Sequence, residues 1–178
     1  MYLNWNSASR TAMKQLSLLL IIISLTLSSF AQKEGASKLY GYKQKILPGT
    51  VRVDAVGKEL PRKPRYNYFI YLASNTRVEP VEIWVNGECY SVGSTEGATT
   101  PIEYSNPTIG GGKSQILVRK TKRRVLQLNP SLNKIKAPTS KGKTLSAKNE
   151  LVVIYKSDGK LYYKTESKLN DLESVAMQ

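Results

Sequence analysis

Val81-Glu82-Ile83-Trp84-Val85-Asn86-Gly87-Glu88-Cys89-Tyr90-Ser91-Val92 places two strand-like runs on either side of an Asn-Gly pair. Asn-Gly is the preferred two-residue hairpin loop, because a type I′ turn needs positive φ at both central positions. The register that follows sets Trp84 opposite Cys89 and Ile83 opposite Tyr90, and gathers Val81, Ile83, Val85, Tyr90 and Val92 on one apolar face. A second stretch of the same kind, Leu151-Val152-Val153-Ile154-Tyr155-Lys156-Ser157-Asp158-Gly159-Lys160-Leu161-Tyr162-Tyr163, turns at Asp158-Gly159. Helical periodicity is nearly absent around both.

Moving outward, Leu39-Tyr40-Gly41-Tyr42 and Ile46-Leu47 form an extended segment before Pro48-Gly49, and Val51-Arg52-Val53-Asp54-Ala55 alternates. Pro61 and Pro64, among Arg62, Lys63 and Arg65, make a loop. Tyr66, Tyr68, Ile70 and Leu72 then share one face of a strand whose other face carries Asn67, Phe69 and Tyr71, the pattern of a central strand covered twice. Weaker strands are expected at 102–104, 115–119 and 124–128; if the last two pair, the connection between them brings Lys120, Lys122, Arg123 and Arg124 close together. Asn129-Pro130 with Leu132 and Ile135 predicts one capped helical turn, and Leu169, Leu172 and Val175 predict another. This spacing of short strands predicts an all-β fold: a single antiparallel β-sandwich of immunoglobulin-like architecture, with a small closed barrel as the alternative. The Cys-Trp-Cys pattern of antibody domains is missing.

The N-terminal region reads as a secretory signal peptide over residues 1–31. Arg10 and Lys14 give a positive start with no acid before Glu34. An apolar run from Leu16 to Leu27 is broken only by Ser17, Ser24 and Thr26, and Ser29-Phe30-Ala31 supplies the cleavage site, leaving Gln32 as the new N-terminus. The run is short against the roughly 20 residues of a membrane span; an uncleaved anchor is the competing reading. Residues 32–178 are then one domain, within which 130–148 reads as a basic, mobile connection. The expected location is the periplasm or the cell surface.

Several chemistries drop out. The chain has no His and one Cys, which excludes Ser-His-Asp and Cys-His nucleophile systems, His/Cys zinc sites and an intramolecular disulfide. Cys89, facing Trp84, reads as a small core filler. Gly110-Gly111-Gly112-Lys113-Ser114 fails the phosphate-loop pattern because Pro107 stands where its first glycine belongs, and Gly142-Lys143-Thr144 fails with Ala137 there. No cofactor is expected. A carboxylate pair for glycoside hydrolysis could be drawn from Glu79, Glu82, Glu88, Glu96 and Glu103, but these read first as solvated rim charges. The tyrosines at 66, 68, 155, 162 and 163 fit either ordinary strand positions with one wet end or a carbohydrate- or peptide-lining groove.

Charge is unevenly placed. Residues 33–112 carry ten Lys/Arg against eight Asp/Glu, 113–148 carry eleven against none, and 149–178 carry four against five. The densest cations are Arg119, Lys120, Lys122, Arg123 and Arg124. The stretch contains no aromatic residue for base stacking, so nucleic acid is not the expected partner; an anionic envelope polymer, a lipid or another envelope protein is. A solvated face that aids solubility is the plainer reading.

The Ser-Phe-Ala-Gln cleavage site, the tyrosine-rich strand at 66–72 and the two hairpins together resemble small exported β-sandwich proteins of Gram-negative bacteria, for which no activity is assigned. The resemblance implies an envelope location and a sandwich-like fold, and carries over no functional residue. The resulting expectation is a non-catalytic, exported binding or structural module, the alternative being a carbohydrate-active hydrolase using paired glutamates near the 81–92 hairpin.

Overall fold

The computed structural model describes residues 33–34, 37–50, 53–60, 63–96, 99–106, 114–135 and 137–176. The signal-peptide segment, the glycine run at 110–113 and the start of the 51–55 segment lie outside them. Eleven strands occur among the described residues: β1 Lys33–Glu34, β2 Lys38–Leu47, β3 Arg65–Ser74, β4 Glu79–Val85, β5 Glu88–Glu96, β6 Ile102–Tyr104, β7 Gln115–Val118, β8 Arg124–Lys134, β9 Leu151–Ser157, β10 Lys160–Glu166 and β11 Asn170–Ala176. One short helix, α1, spans Ser140–Ser146. The fold is thus mostly β, and the residues from Lys33 onward form one compact unit.

Both hairpins form through the turn chemistry their sequences carry. Asn86 and Gly87 have φ of 50° and 81°, Asp158 and Gly159 of 50° and 73°, and Trp84 pairs with Cys89 and Ile83 with Tyr90. Nine strands join in one sheet in the order β1-β10-β9-β4-β5-β8-β3-β2-β11, while β6 and β7 pair as a small second sheet. The large sheet is mixed rather than purely antiparallel, since β1 runs parallel to β10 and β11 parallel to β2. Those pairings come from distant parts of the chain and leave no local turn signal.

This order forces the sheet to curl. β10 and β11 lie seven strand intervals apart, about 34 Å if the sheet were flat. Yet only the step from Glu166 to Asn170 joins them, and four extended residues reach at most about 14 Å. The step from Glu34 to Lys38 makes the same crossing from β1 to β2. Consistent with this, β10 and β2, each second from its edge, are in contact.

The curl wraps one apolar core, built from Leu39, Ile70, Leu72, Ile83, Val85, Leu128, Leu151, Val153 and Tyr155 among others. The outer face is covered in two places. Leu117 and Val118 of β7 pack on Tyr42, Tyr71, Val125 and Leu172, with the Tyr42 hydroxyl donating to the Leu117 carbonyl. Elsewhere Leu145 of α1 packs toward Trp84, Cys89, Val152 and Ile154. As expected, β3 is central, with Ile70 and Leu72 in the inner core and Tyr71 and Ala73 in the outer one.

Four sequence expectations are corrected. Strands 115–118 and 124–134 do not pair: β7 joins β6, and β8 lies between β3 and β5, because Val125 on one face and Leu126 and Leu128 on the other need neighbours on both sides. Asn129-Pro130 opens no helical turn but continues β8, with Pro130 opposite Val92 beside a register shift, a place where a missing N–H is tolerated. Leu169, Leu172 and Val175 are not helical either. Leu169, before β11, packs in the inner core and Leu172 in the outer one, and an irregularity in β11 between Leu172 and Val175, opposite Gln44 and Ile46, inserts one extra residue there. Finally, 130–148 is not a connection throughout: β8 runs to Lys134 and α1 spans Ser140–Ser146.

Glu150 secures the crossing between β10 and β11. Its carboxylate accepts from the Leu169 N–H at 2.8 Å and from Lys43 Nζ of β2 at 3.1 Å. Its N–H donates to the Ser167 carbonyl and its own carbonyl accepts from the Asn86 N–H. The Leu169 N–H holds the Glu150 carboxyl below its ordinary value; burial opposes this and Lys43 adds to it. A carboxyl lowered in the folded state stabilises fully above its unfolded pKa and loses that contribution as pH falls through the folded one. The unfolding midpoint should therefore fall with acidification below about pH 5. Glu150→Gln should be about 1–2 kcal/mol less stable at neutral pH and should show a flatter acid limb, as read by denaturant melts across pH.

Candidate functional site

The five cations singled out from sequence occupy the connection from β7 to β8 and the first residue of β8. Arg119, Lys120, Lys122 and Arg124 are exposed, and Arg123 is half-buried. The connection links the small sheet to the large one, so it has no ladder of its own; Thr121 gives it shape instead. The Thr121 N–H donates to Thr100 Oγ1 at 3.1 Å, Thr100 Oγ1 donates back to the Thr121 carbonyl at 3.2 Å, and the Arg123 N–H donates to Thr121 Oγ1 at 3.2 Å. Lys120 and Lys122 thus flank a fixed residue. None of Arg119, Lys120, Lys122 and Arg123 has an ion pair with the described residues, whereas Lys43 pairs with Glu150 and Asp171. Cations on adjacent residues sit well inside the ~8 Å screening length at physiological salt, so their potentials add.

Lys141 and Lys143 belong to α1, with Lys141 Nζ 5.2 Å from the centre of the Tyr163 ring, and Lys148 follows the helix exposed.

The glutamates divide in a way the sequence reading missed. Glu79, Glu88 and Glu103 are exposed as expected, but Glu82 is 2% exposed. Its carboxylate accepts from Thr139 N–H at 3.1 Å, from Thr139 Oγ1, from Trp84 Nε1 at 3.3 Å and from the Cys89 thiol at 3.7 Å. Thr139 is also the N-cap of α1, its Oγ1 accepting from the Gly142 N–H at 3.1 Å. A buried carboxylate without a cation is costly unless its oxygens are hydrogen-bonded, and here four donors serve two oxygens. The arrangement fastens the helix over the apolar Trp84, Cys89, Val152 and Ile154 face. All of these partners are groups of the protein itself, which makes Glu82 a structural anchor. The available signal was Trp84: a tryptophan on the same strand face as Glu82 requires a cover, and the cover takes Glu82 with it.

Cys89 lies buried beneath this cover. Burial, then the neighbouring Glu82 charge and hydrogen bond, pushes the thiol up to about 12, so thiolate is scarce at neutral pH. Of the tyrosines read as a possible groove, Tyr68, Tyr155 and Tyr162 pack in or against the inner core, while Tyr163 lies on the face under α1.

No family model, curated protein or solved structure matches the chain.

Cys89 should react slowly with a thiol reagent in the native state and rapidly in denaturant. A Cβ at Gly142 would fall 2.7 Å from Glu82 Oε1 and closer still to the Trp84 indole nitrogen. Gly142→Ala should therefore lift the helix and speed native labelling by roughly tenfold, the effect of about 1.4 kcal/mol on a local opening. Unchanged labelling would mean that α1 does not gate access to the thiol.

Proposed function

We propose that this chain is an exported, non-catalytic binding module of the bacterial envelope that engages phosphate- or carboxylate-rich surfaces through Arg119, Lys120, Lys122, Arg123 and Arg124. The observation that carries the reading is the braced 119–124 connection, which concentrates five cations within six residues of a 36-residue stretch, 113–148, that contains no acid. Within this reading the curled sheet acts as a sandwich-like scaffold that holds the connection at the surface. The signal-like N-terminal region supports the envelope location, as does the resemblance to small exported β-proteins of Gram-negative bacteria. Contacts made by clustered exposed cations are individually weak, and salt screens them. The module should therefore favour high charge density over any particular polyanion.

Arg119, Lys120 and Lys122 are the residues to change, because their side chains are exposed and make no ion pair or hydrogen bond with the described residues. The triple variant Arg119→Gln, Lys120→Gln, Lys122→Gln should lose most of its low-salt binding to vesicles of phosphatidylglycerol and to acidic polysaccharide. Its unfolding midpoint should stay close to that of the wild type. Binding to only one of the two would identify the source of the anionic groups; a wild-type chain that ignores both at low salt would overturn the proposal. Export carries its own check. The intact mass of the envelope-fraction protein should correspond to residues 32–178, whereas a species retaining residues 16–30 would mean an anchored chain.

A further inference from the structure

At one end of the curled sheet the inner core opens into a pocket of about 200 Å³. Its walls come from strands that are not neighbours in the sheet: Ser37 and Ser74 at the ends of β2 and β3 on one side, Tyr155 and Ser157 of β9 with Tyr162 of β10 on the other. The pocket is therefore the mouth of the curl, a place where β-structures commonly hold small ligands.

The lining is rich in hydroxyls, and several are already ordered. Ser74 Oγ lies 3.4 Å from Thr76 Oγ1, which lies 3.0 Å from Ser157 Oγ; Ser157 Oγ donates to the Arg77 carbonyl at 3.3 Å. Each hydroxyl offers one donor and two acceptor positions, so this chain of three retains lone pairs for a ligand. Ser37, Ser74 and Ser157 are themselves buried. The Asp158 carboxylate, 3.5 Å from Ser157 Oγ, adds a strong acceptor at the rim. Tyr155 and Tyr162 stack across the β9–β10 pair with ring centres 5.9 Å apart and planes inclined by 22°.

The second observation concerns Tyr155. It is 1% exposed, it lines the pocket, and its hydroxyl is buried with no hydrogen-bond partner among the described residues. Buried polar groups in native proteins are nearly always partnered. An unpartnered phenol in the wall of a hydroxyl-lined pocket is a group prepared for an incoming donor or acceptor.

We propose that this pocket binds a single neutral, polyhydroxylated ring, such as one sugar residue. The volume is below the roughly 300–1,000 Å³ of pockets for drug-sized ligands, which limits the occupant to about one ring. Among the described residues no Lys or Arg lines it and the one charged group is the Asp158 carboxylate, so anionic ligands are disfavoured. Hydroxyls complement hydroxyls because each side both donates and accepts, Asp158 can take a ligand hydroxyl, and the tyrosine rings offer apolar area to ring C–H groups. The site is separate from the cationic 119–124 connection and does not depend on it.

The test uses the folded chain from residue 32 onward with glucose, galactose, N-acetylglucosamine and glucuronate as probes, observed by ligand-detected NMR and calorimetry. At least one neutral sugar should bind with Kd of about 1 mM or tighter, and glucuronate should bind more weakly. Tyr155→Phe should weaken binding at least tenfold while leaving the free protein equally or more stable, because it removes an unsatisfied buried hydroxyl. Asp158→Asn should also weaken binding while keeping the turn, since Asn tolerates the same positive φ. The proposal fails if no neutral sugar binds, if glucuronate binds best, or if both variants bind like the wild type. The last result would mean that sugars bind elsewhere and that the Tyr155 hydroxyl meets only water.

Discussion

The fold depends on bringing the two edges of one sheet within reach of each other. Two short crossings, from β1 to β2 and from β10 to β11, each join strands seven intervals apart. Neither crossing can form on a flat sheet, so the curl is a condition of the topology rather than a consequence of packing alone. Glu150 is the residue that unites the parts of this seam: through backbone and carboxylate it contacts the β4–β5 turn, the end of β10, the crossing itself and β2. Gly41 belongs to the same constraint, because a Cβ there would collide with Leu169 and Leu151.

A curled sheet has an inside and an outside, and only the inside is covered automatically. The outer face carries Tyr42, Tyr71 and Val125 in one region and Trp84, Val152 and Ile154 in another. The small sheet covers the first and α1 the second. Both covers are fixed by polar groups buried at their margins: Gln44 reaches Tyr104 and the Glu173 carbonyl, and Glu82 reaches Thr139. Apolar burial supplies the driving force, and these non-directional contacts are given one position by directional hydrogen bonds.

What could be read in advance was local. Asn86-Gly87 and Asp158-Gly159 encode their own turns, and a tight turn sets the register of both flanking strands; Trp84–Cys89 followed from that. The alternating faces of β3 were equally readable, because its two-sided apolar pattern can only be satisfied in the interior of a sheet. The parallel edges were not readable, since nothing near Asn170 names Tyr42 as its neighbour. Nor were irregularities: the extra residue in β11 set Leu172 and Val175 at an apparent helical spacing, and Pro130 resembled a helix start when it sat beside a break in the ladder. Of the candidate sites, the cationic cluster could be seen because its residues are consecutive. The pocket could not, because Ser37, Ser74 and Ser157 meet only when the sheet curls.

That difference bears on how the cationic cluster should be weighed. Strand β8 is flanked on both sides and buries Val125, Leu126 and Leu128, so its first half has little room for charge. Arg124 stands at one end and Lys134 at the other, with the remaining cations pushed into the connections before and after it. The topology therefore explains why the charges of this region gather at strand ends. It does not explain why all of them are positive. Exposed positions accept either sign, and Glu79, Glu88 and Glu103 occupy such positions elsewhere on the same unit. Solubility needs net charge, not the exclusion of every carboxylate from 36 consecutive residues. The fold leaves the absence of acids unaccounted for, and the anionic partner proposed above would supply a physical reason for it.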